Sequence, residues 1–369
     1  MLVDIQRADS PYAAPGGGSY TTPFGLEGPR GAIDSGLAGI VDAVSPSADR
    51  MQVVVRSITL LAADTIGVEL VPSDEIELPA FEAGAHVDLL LPNGIRRSYS
   101  LCNQPTDGNR YVVGVKKASP GRGASSYIHD RLRVGQQIEI SRPRNNFPLV
   151  RPAARSIFLA GGIGITPIWS MIQTLESEGG PWKLYYAART AKDAAFLREI
   201  QALSVVHPGC IDIRFDHEPG VAMLNIESIV NEHAGTGVHF YACGPSPMLD
   251  AFEAATKSIP QANRHLERFS ADARGASQGA LTEYEAVLAK SGMTLRITPE
   301  RSLLDTLLDA GVSVEFSCME GICGSCRVAV QEGLPDHRDH VLTEEERARN
   351  DTVLVCCCGS RTQRLVLDL

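Results

Sequence analysis

Residues 317–326 read SCMEGICGSC, and they place three cysteines in a Cys318-x4-Cys323-x2-Cys326 spacing, with Cys356 following after 29 intervening residues. Four thiolates around two irons need three ligands from one tight loop and a fourth from elsewhere, and this first spacing is the plant-type one for a [2Fe–2S] cluster. Gly321 and Gly324 sit between the cysteines, where the backbone must approach closely enough for its amides to point at sulfur. Zinc favours paired C-x2-C units, and only one such pair is present. Cys356, Cys357 and Cys358 are adjacent, and only one of them should ligate; Cys356 fits best by spacing, leaving the other two as small core residues. Six of the nine cysteines fall from residue 318 onward. That crowding in a chain without a signal pattern argues for ligation over a disulfide framework.

Around this loop the chain reads as a third unit. Tyr284–Leu288 and Thr294–Ile297 are strand-like, Ser302–Ala310 is a short amphipathic helix, and strands return at Arg327–Gln331 and Leu365–Asp368. The unit, residues 280–369, carries 15 Asp/Glu against nine Lys/Arg. An acidic face of that kind can steer docking onto a basic partner, or serve only as a solvated surface.

Upstream, strands alternate with helices: Ile157–Ala160, then Thr166–Glu178, Lys183–Ala187, Ala195–Leu203, Val238–Ala242 and Ser246–Ser258. This predicts a doubly wound parallel sheet. Residues 157–167 read IFLAGGIGITP, a buried strand entering a Gly-rich turn and then a helix, with Thr166 as a candidate cap and Pro167 in the first turn. Pro167 stands where the third glycine of G-x-G-x-x-G would be, so the ordinary dinucleotide fingerprint is absent, yet a helix N-terminus can still receive a pyrophosphate. Cys243-Gly244-Pro245 follows a second buried strand in the same way, and two such turns at one sheet edge would face one crevice. Arg189 lies where an adenosine ribose or phosphate could be held, or is a surface charge.

Between Met51 and Val150 the pattern is of short strands, at Val53–Ile58, His86–Leu91, Tyr99–Asn103, Tyr111–Val115 and Gln137–Ile140, with one helix at Ala124–Asp130. A small barrel or sandwich is expected. It contains Arg97-Ser98-Tyr99-Ser100, in which an arginine fork can meet a phosphate, a tyrosine can stack on an isoalloxazine and a serine can reach its N5 region. Gly114-Val115-Lys116 could edge the ring, and Gly121-Arg122-Gly123-Ala124-Ser125-Ser126 opens the helix as a Gly-rich phosphate turn. Residues 1–46 are rich in Gly, Pro, Ser and Ala without hydrophobic period, which predicts a flexible extension.

The net charge of −10 disfavours a nucleic-acid partner. No apolar run is long enough to span a membrane and no secretory pattern opens the chain, so a cytoplasmic location is expected.

With these motifs in this order, the chain from Met51 to Leu369 resembles the phthalate dioxygenase reductase family and, in pattern, the reductases of vanillate demethylase and carnitine monooxygenase. The resemblance is carried by RSYSL, GVKKASPGRGASS, PRNNFPL, LAGGIGITP, YACGPSPM, SCMEGICGSC and the closing LVLDL. It implies a multidomain chain: a flexible extension over 1–46, a six-stranded antiparallel β-barrel for FMN over 47–152, an α/β doubly wound NAD domain over 153–275 and an α+β plant-type ferredoxin over 280–369. It further implies that Arg97, Ser98, Tyr99, Ser100, Gly114, Val115, Lys116 and Gly123–Ser126 bind FMN with Thr166 near the ring. Gly162, Gly164, Arg189, Cys243, Gly244 and Pro245 would face NADH. Ala124 departs from the usual G-R-G-G-S turn and restricts its backbone.

A hydride carries two electrons and the cluster takes one, so a flavin must sit between them; Ser100 and Cys243 are expected to flank the hydride's path. The implied partner is a terminal oxygenase of the Rieske non-haem iron type. Alternatives are a reductase for a cytochrome P450, or an iron–sulfur sensor, against which the flavin and nicotinamide motifs argue.

Overall fold

Alternating residues Val53 and Val55, Val68 and Leu70, Val87 and Leu89, Val113 and Val115, and Ile138 and Ile140 have nearly all their surface removed from solvent. A strand presents alternate side chains to one face, so such pairs on successive strands must enclose one core. In the structure, a computed structural model describing residues 50–74, 77–92, 94–118, 123–270 and 282–369, they do. The strands are β1 (Arg50–Ala62), β2 (Thr65–Pro72), β3 (His86–Leu90), β4 (Arg96–Ser100), β5 (Tyr111–Lys116) and β6 (Gln137–Ser141), with helix α1 (Ala124–Asp130) between β5 and β6. Their order is β4-β3-β6-β1-β2-β5, all antiparallel. A bridge from Leu101 to Val113 brings the two ends together and closes the barrel.

The predicted strand at Tyr99–Asn103 begins earlier, at Arg96, because its outward residues pair with charged groups rather than with the core. Strand β2 carries Gly67 and Glu69 among its apolar positions and had no clean sequence signature. The expected extension over residues 1–46 lies outside the described residues.

The second sheet is parallel throughout, with order β11-β10-β7-β8-β9. Its elements are β7 (Arg155–Gly161), α2 (Ile165–Glu178), β8 (Trp182–Ala188), α3 (Leu197–Val206), β9 (Ile211–Phe215), α4 (Ile226–His233), β10 (Val238–Cys243), α5 (Ser246–Ala255) and β11 (Arg264–Glu267). Ile157 and Leu159 pack with α4 and α5 on one face, while Phe158 and Ala160 pack with α2 on the other. Burial on both faces explains the unbroken apolar run read from sequence. Strands β9 and β11 are half-buried edge strands, and neither shows such a run.

Strand order reverses between β7 and β10, and there the two Gly-containing turns pack on each other. A Cβ on Gly164 would lie 2.1 Å from the Cys243 carbonyl oxygen and 2.7 Å from the Gly244 nitrogen, and one on Gly161 would lie 2.5 Å from Pro245 Cδ. Thr166 does not cap α2: a 3-10 turn over Gly162–Gly164 leads into the helix, and Thr166 Oγ1 instead donates back to the Ile163 carbonyl at 2.9 Å.

The third sheet is mixed, in the order β13-β12-β18-β14-β16, from β12 (Tyr284–Leu288), β13 (Thr294–Ile297), β14 (Arg327–Glu332), β16 (Thr352–Leu354) and β18 (Arg364–Leu367). A separate pair joins β15 (Pro335–Asp336) to β17 (Gly359–Ser360), and the helices are α6 (Leu303–Asp309) and α7 (Glu344–Arg349). Ser302 caps α6 through the Asp305 amide, and Thr343 with Glu346 forms a capping box on α7. Among the described residues no helix is long and apolar enough to cross a membrane.

The Gly164 contact is with rigid backbone, so Gly164→Ala should lower stability by about 3 kcal/mol. Gly235→Ala, where a Cβ would meet only ordinary contacts, should change it by no more than about 0.5 kcal/mol. Urea midpoints of the two variants against the parent check this.

Candidate functional site

Strands β3 and β4 of the barrel, the carboxyl edge of the parallel sheet and the cysteine loop of the third sheet all border one cavity of about 840 Å³. From β4 come Arg97, Ser98, Tyr99 and Ser100; from β5, Gly114 and Lys116; from the start of α1, Ala124 and Ser125. The parallel sheet adds Thr166, Arg189 and Glu267, and the cysteine loop adds Cys318 and Cys323. A Cβ on Gly114 would lie 2.5 Å from Thr166 Cγ2, so the barrel and the nucleotide sheet meet at that glycine with no room for a side chain.

Other expected residues stand behind this wall. Val115 is buried in the barrel core, Gly123 (φ 93°) precedes α1, and Ser126 does not line the cavity. Gly162, Gly164, Gly244 and Pro245 form the packed turns at the strand-order reversal. Cys243 has no exposed surface; its register partner on β11 is Glu267. Burial, and then the nearby Glu267 carboxylate, push the Cys243 thiol well above its ordinary range.

Among the titratable groups at the cavity that sequence reading missed, Glu267 and His86 are shifted furthest by burial. Glu267 closes an edge strand that had no periodic signal. Burial pushes its carboxyl up to about 8, against the effect of the Ser100 hydroxyl, which donates to it at 3.5 Å. His86 faces Ser100 across the β3–β4 ladder. Burial, and then the charge of Arg144, bring its imidazole down to about 4, and neither ring nitrogen has a hydrogen-bond partner among the described residues. Lys116 and Arg189 both lie 3.7 Å from Asp64, and Arg189 is also held by Asp193 at 2.9 Å. Arg189 is thus tied down at the cavity rim rather than swinging freely in solvent.

The cavity's size, the glycine approach at Gly114, the cations at Arg97 and Lys116, and an unsatisfied imidazole fit a planar, hydrogen-bonding, phosphate-bearing guest such as FMN. The cysteine loop fits a cluster. Cys318, Cys323, Cys326 and Cys356 are all buried, and Cys356 lies against both Cys318 and Cys326. The Glu320 amide points at the Cys318 sulfur at 3.3 Å and the Ile322 amide at 3.5 Å, while the Cys318 amide points at the Cys323 sulfur at 3.5 Å. Met319, Gly321 and Gly324 adopt positive φ (59°, 69° and 71°), which turns those amides inward. Cys357 packs behind Gly321, and Cys358 accepts from the Arg338 amide at 3.3 Å.

The loop is also fastened to the barrel. Ser317 Oγ donates to Asp88 Oδ1 at 2.7 Å, and Ser98 Oγ donates to the same oxygen at 2.6 Å. Arg96 pairs with Asp88 at 2.8 Å and with Glu315 at 2.9 Å, and Arg144 pairs with Asp88 as well. Burial raises the Asp88 pKa, but Arg144 and Arg96 outweigh it and hold the carboxyl at about 2. Asn146 Nδ2 donates to the Cys323 carbonyl at 2.8 Å.

Comparison with known proteins agrees with this geometry. Residues 287–360 match the 2Fe-2S iron-sulfur cluster binding domain family, and residues 158–254 match the oxidoreductase NAD-binding domain family. The chain is 47% identical over 292 residues to phenoxybenzoate dioxygenase subunit beta of Ectopseudomonas oleovorans, covering 79% of this chain and 89% of that protein. It superposes on the structure of phthalate dioxygenase reductase, a modular protein for electron transfer from pyridine nucleotides to [2Fe-2S], with TM-score 0.65 and 38% identity, covering 87% of this chain and 98% of that one. It is also similar to an intact type IV self-sufficient cytochrome P450 monooxygenase (TM-score 0.76, 32% identity, 87% of this chain), of which it spans only 41%. On these matches the chain belongs to the phthalate dioxygenase reductase family and is an oxidoreductase, an oxygenase-system reductase that uses NADH, FMN and a [2Fe–2S] cluster.

Proposed function

We propose that this chain delivers single electrons to a Rieske-type terminal oxygenase, using Cys318, Cys323, Cys326 and Cys356 as cluster ligands. The observation that carries the reading is that the flavin strand, the carboxyl edge of the nucleotide domain (Thr166, Arg189 and Glu267) and the cysteine loop all border one cavity. An FMN held there by Arg97, Lys116 and Tyr99 would supply the conversion of a two-electron hydride into single electrons. The protein's part is to bind, orient and set charge.

In this reading, Arg97, Lys116 and the Gly123–Ser126 turn hold the flavin phosphate, with Tyr99 and Thr166 against the ring. Gly162, Gly164, Gly244, Pro245 and Arg189 receive the nucleotide. Ser100 and Glu267 offer polar atoms at the hydride's destination, and Cys243 shapes the floor from behind. The corresponding division of the chain is 47–152, 153–275 and 280–369. A cytosolic setting suits a protein whose cysteines act as reduced ligands. The acidic excess of residues 280–369 would attract a basic docking patch.

A second reading, delivery to a cytochrome P450, is favoured by the likeness to the self-sufficient P450. Adding each purified partner separates the two.

With NADH as donor, electron delivery to a purified Rieske oxygenase should fall as salt rises from low to about 0.5 M, as screening removes the attraction. Delivery that is insensitive to salt contradicts the acidic docking surface, and delivery to a P450 alone contradicts the Rieske assignment.

Burial pushes the Glu267 carboxyl up to about 8, which favours its neutral form at lower pH. Negative charge beside an arriving hydride opposes transfer, so stopped-flow flavin reduction should slow as pH rises through that value. In Glu267→Gln the same profile should be flat.

A further inference from the structure

We propose that Ser317, acting through Asp88 and Ser98, is a positioning residue that sets the placement of the cluster loop against the flavin strand and so the rate of electron transfer between them. The inference rests on reading Cys318 as a cluster ligand. The transfer it serves moves one electron and breaks no bond, so placement is what the protein can control.

Ser317 immediately precedes Cys318, and Ser98 immediately precedes Tyr99 and Ser100 on β4. Cys318, Tyr99 and Ser100 all line the cavity. The two serine hydroxyls lie 3.0 Å apart and share one carboxylate oxygen. A single buried acceptor therefore ties the residue before the first cluster cysteine to the residue before the flavin-facing pair.

The acceptor itself is fixed. Asp88 has no exposed surface, and its other oxygen takes both Arg96 and Arg144. Its backbone amide donates to Ser141 Oγ at 3.0 Å, anchoring it to β6 as well. Ser317 is 2% exposed, so water does not compete for the bond. Hydrogen bonds to a buried charge are among the stronger ones. Two further ties flank it, Arg96 to Glu315 and Asn146 to the Cys323 carbonyl. The loop is thus held before, at and after its first ligand, as rigid support of a reacting group requires.

The test uses the full-length holoprotein with Ser317→Ala and Ser317→Thr. Cluster content is read from the visible and EPR spectra. NADH-dependent reduction of ferricyanide reports the flavin alone, NADH-dependent reduction of cytochrome c reports passage through the cluster, and hydrogen exchange reports the amides of residues 315–323. In Ser317→Ala with its cluster in place, cytochrome c reduction should fall about tenfold, since a 1 Å misplacement can cost up to about 100-fold. Ferricyanide reduction should stay at the parental rate, the loop amides should exchange faster, and Ser317→Thr should restore all three. Parental cytochrome c rates in Ser317→Ala overturn the proposal, as does an equal fall in both rates. If Ser317→Ala loses its cluster, Asn146→Ala loosens the same loop from outside and must show the same split for the proposal to stand. A parent protein that holds a flavin but no cluster overturns the ligand reading itself.

Discussion

A carboxylate removed entirely from water, Asp88, is the point on which the arrangement turns. Desolvating an ion costs several kcal/mol, and a buried ion pair recovers that only with good geometry and further hydrogen bonds. Asp88 has two guanidinium partners and two hydroxyl donors. Such a group adds little net stability, because its interactions mainly offset its own desolvation. Its effect is placement: Arg96, Ser98, Arg144 and Ser317 must all converge, and they come from both the barrel and the cysteine loop. Misplacing an arginine leaves charge poorly paired in the interior, and misplacing a serine leaves the buried carboxylate short of a hydrogen-bond donor.

The same logic of enforced approach governs the other seam. At the strand-order reversal of the parallel sheet, glycine at 161 and 164 lets the two turns touch through backbone, and Gly114 lets the barrel reach Thr166. Open α/β sheets bind ligands outside the carboxyl ends of their strands at such a point. Here that edge is roofed by β4 of the barrel and walled by the cysteine loop. A nicotinamide, a flavin and a cluster need to be close to exchange electrons, and the tightest approaches between the sheets are made where a side chain is absent, as at Gly114 and Gly164, or where a buried charge is fully paired, as at Asp88.

The chemistry-bearing motifs were legible because their residue types leave few alternatives. Cys-x4-Cys-x2-Cys with intervening glycines, a buried strand running into GGIG, and RSYS on a short strand each carry a local signal, and α1, β6, β12, β13, β14 and β18 were read within one residue of their observed bounds. Strands β9 and β11 were not, because edge strands bury only half of each residue and show no apolar run. Glu267 was lost with β11. His86 and Asp88 were read as part of a strand, but nothing local marks a histidine or aspartate as buried; that depends on Arg144, 58 and 56 residues away in sequence. Thr166 looked like a helix cap, and the preceding 3-10 turn took over that role.

One chain thus carries electrons from nicotinamide through flavin to the cysteine loop. Anaerobic titration of the purified protein with NADH, and separately with NADPH, followed by visible absorption and low-temperature EPR, tests it most directly. Low NADH, and not NADPH, should bleach both the flavin and cluster bands and produce a rhombic signal from a cluster with one reduced iron. Flavin bleaching without that signal in cluster-loaded protein, or no bleaching with either nucleotide, would contradict it.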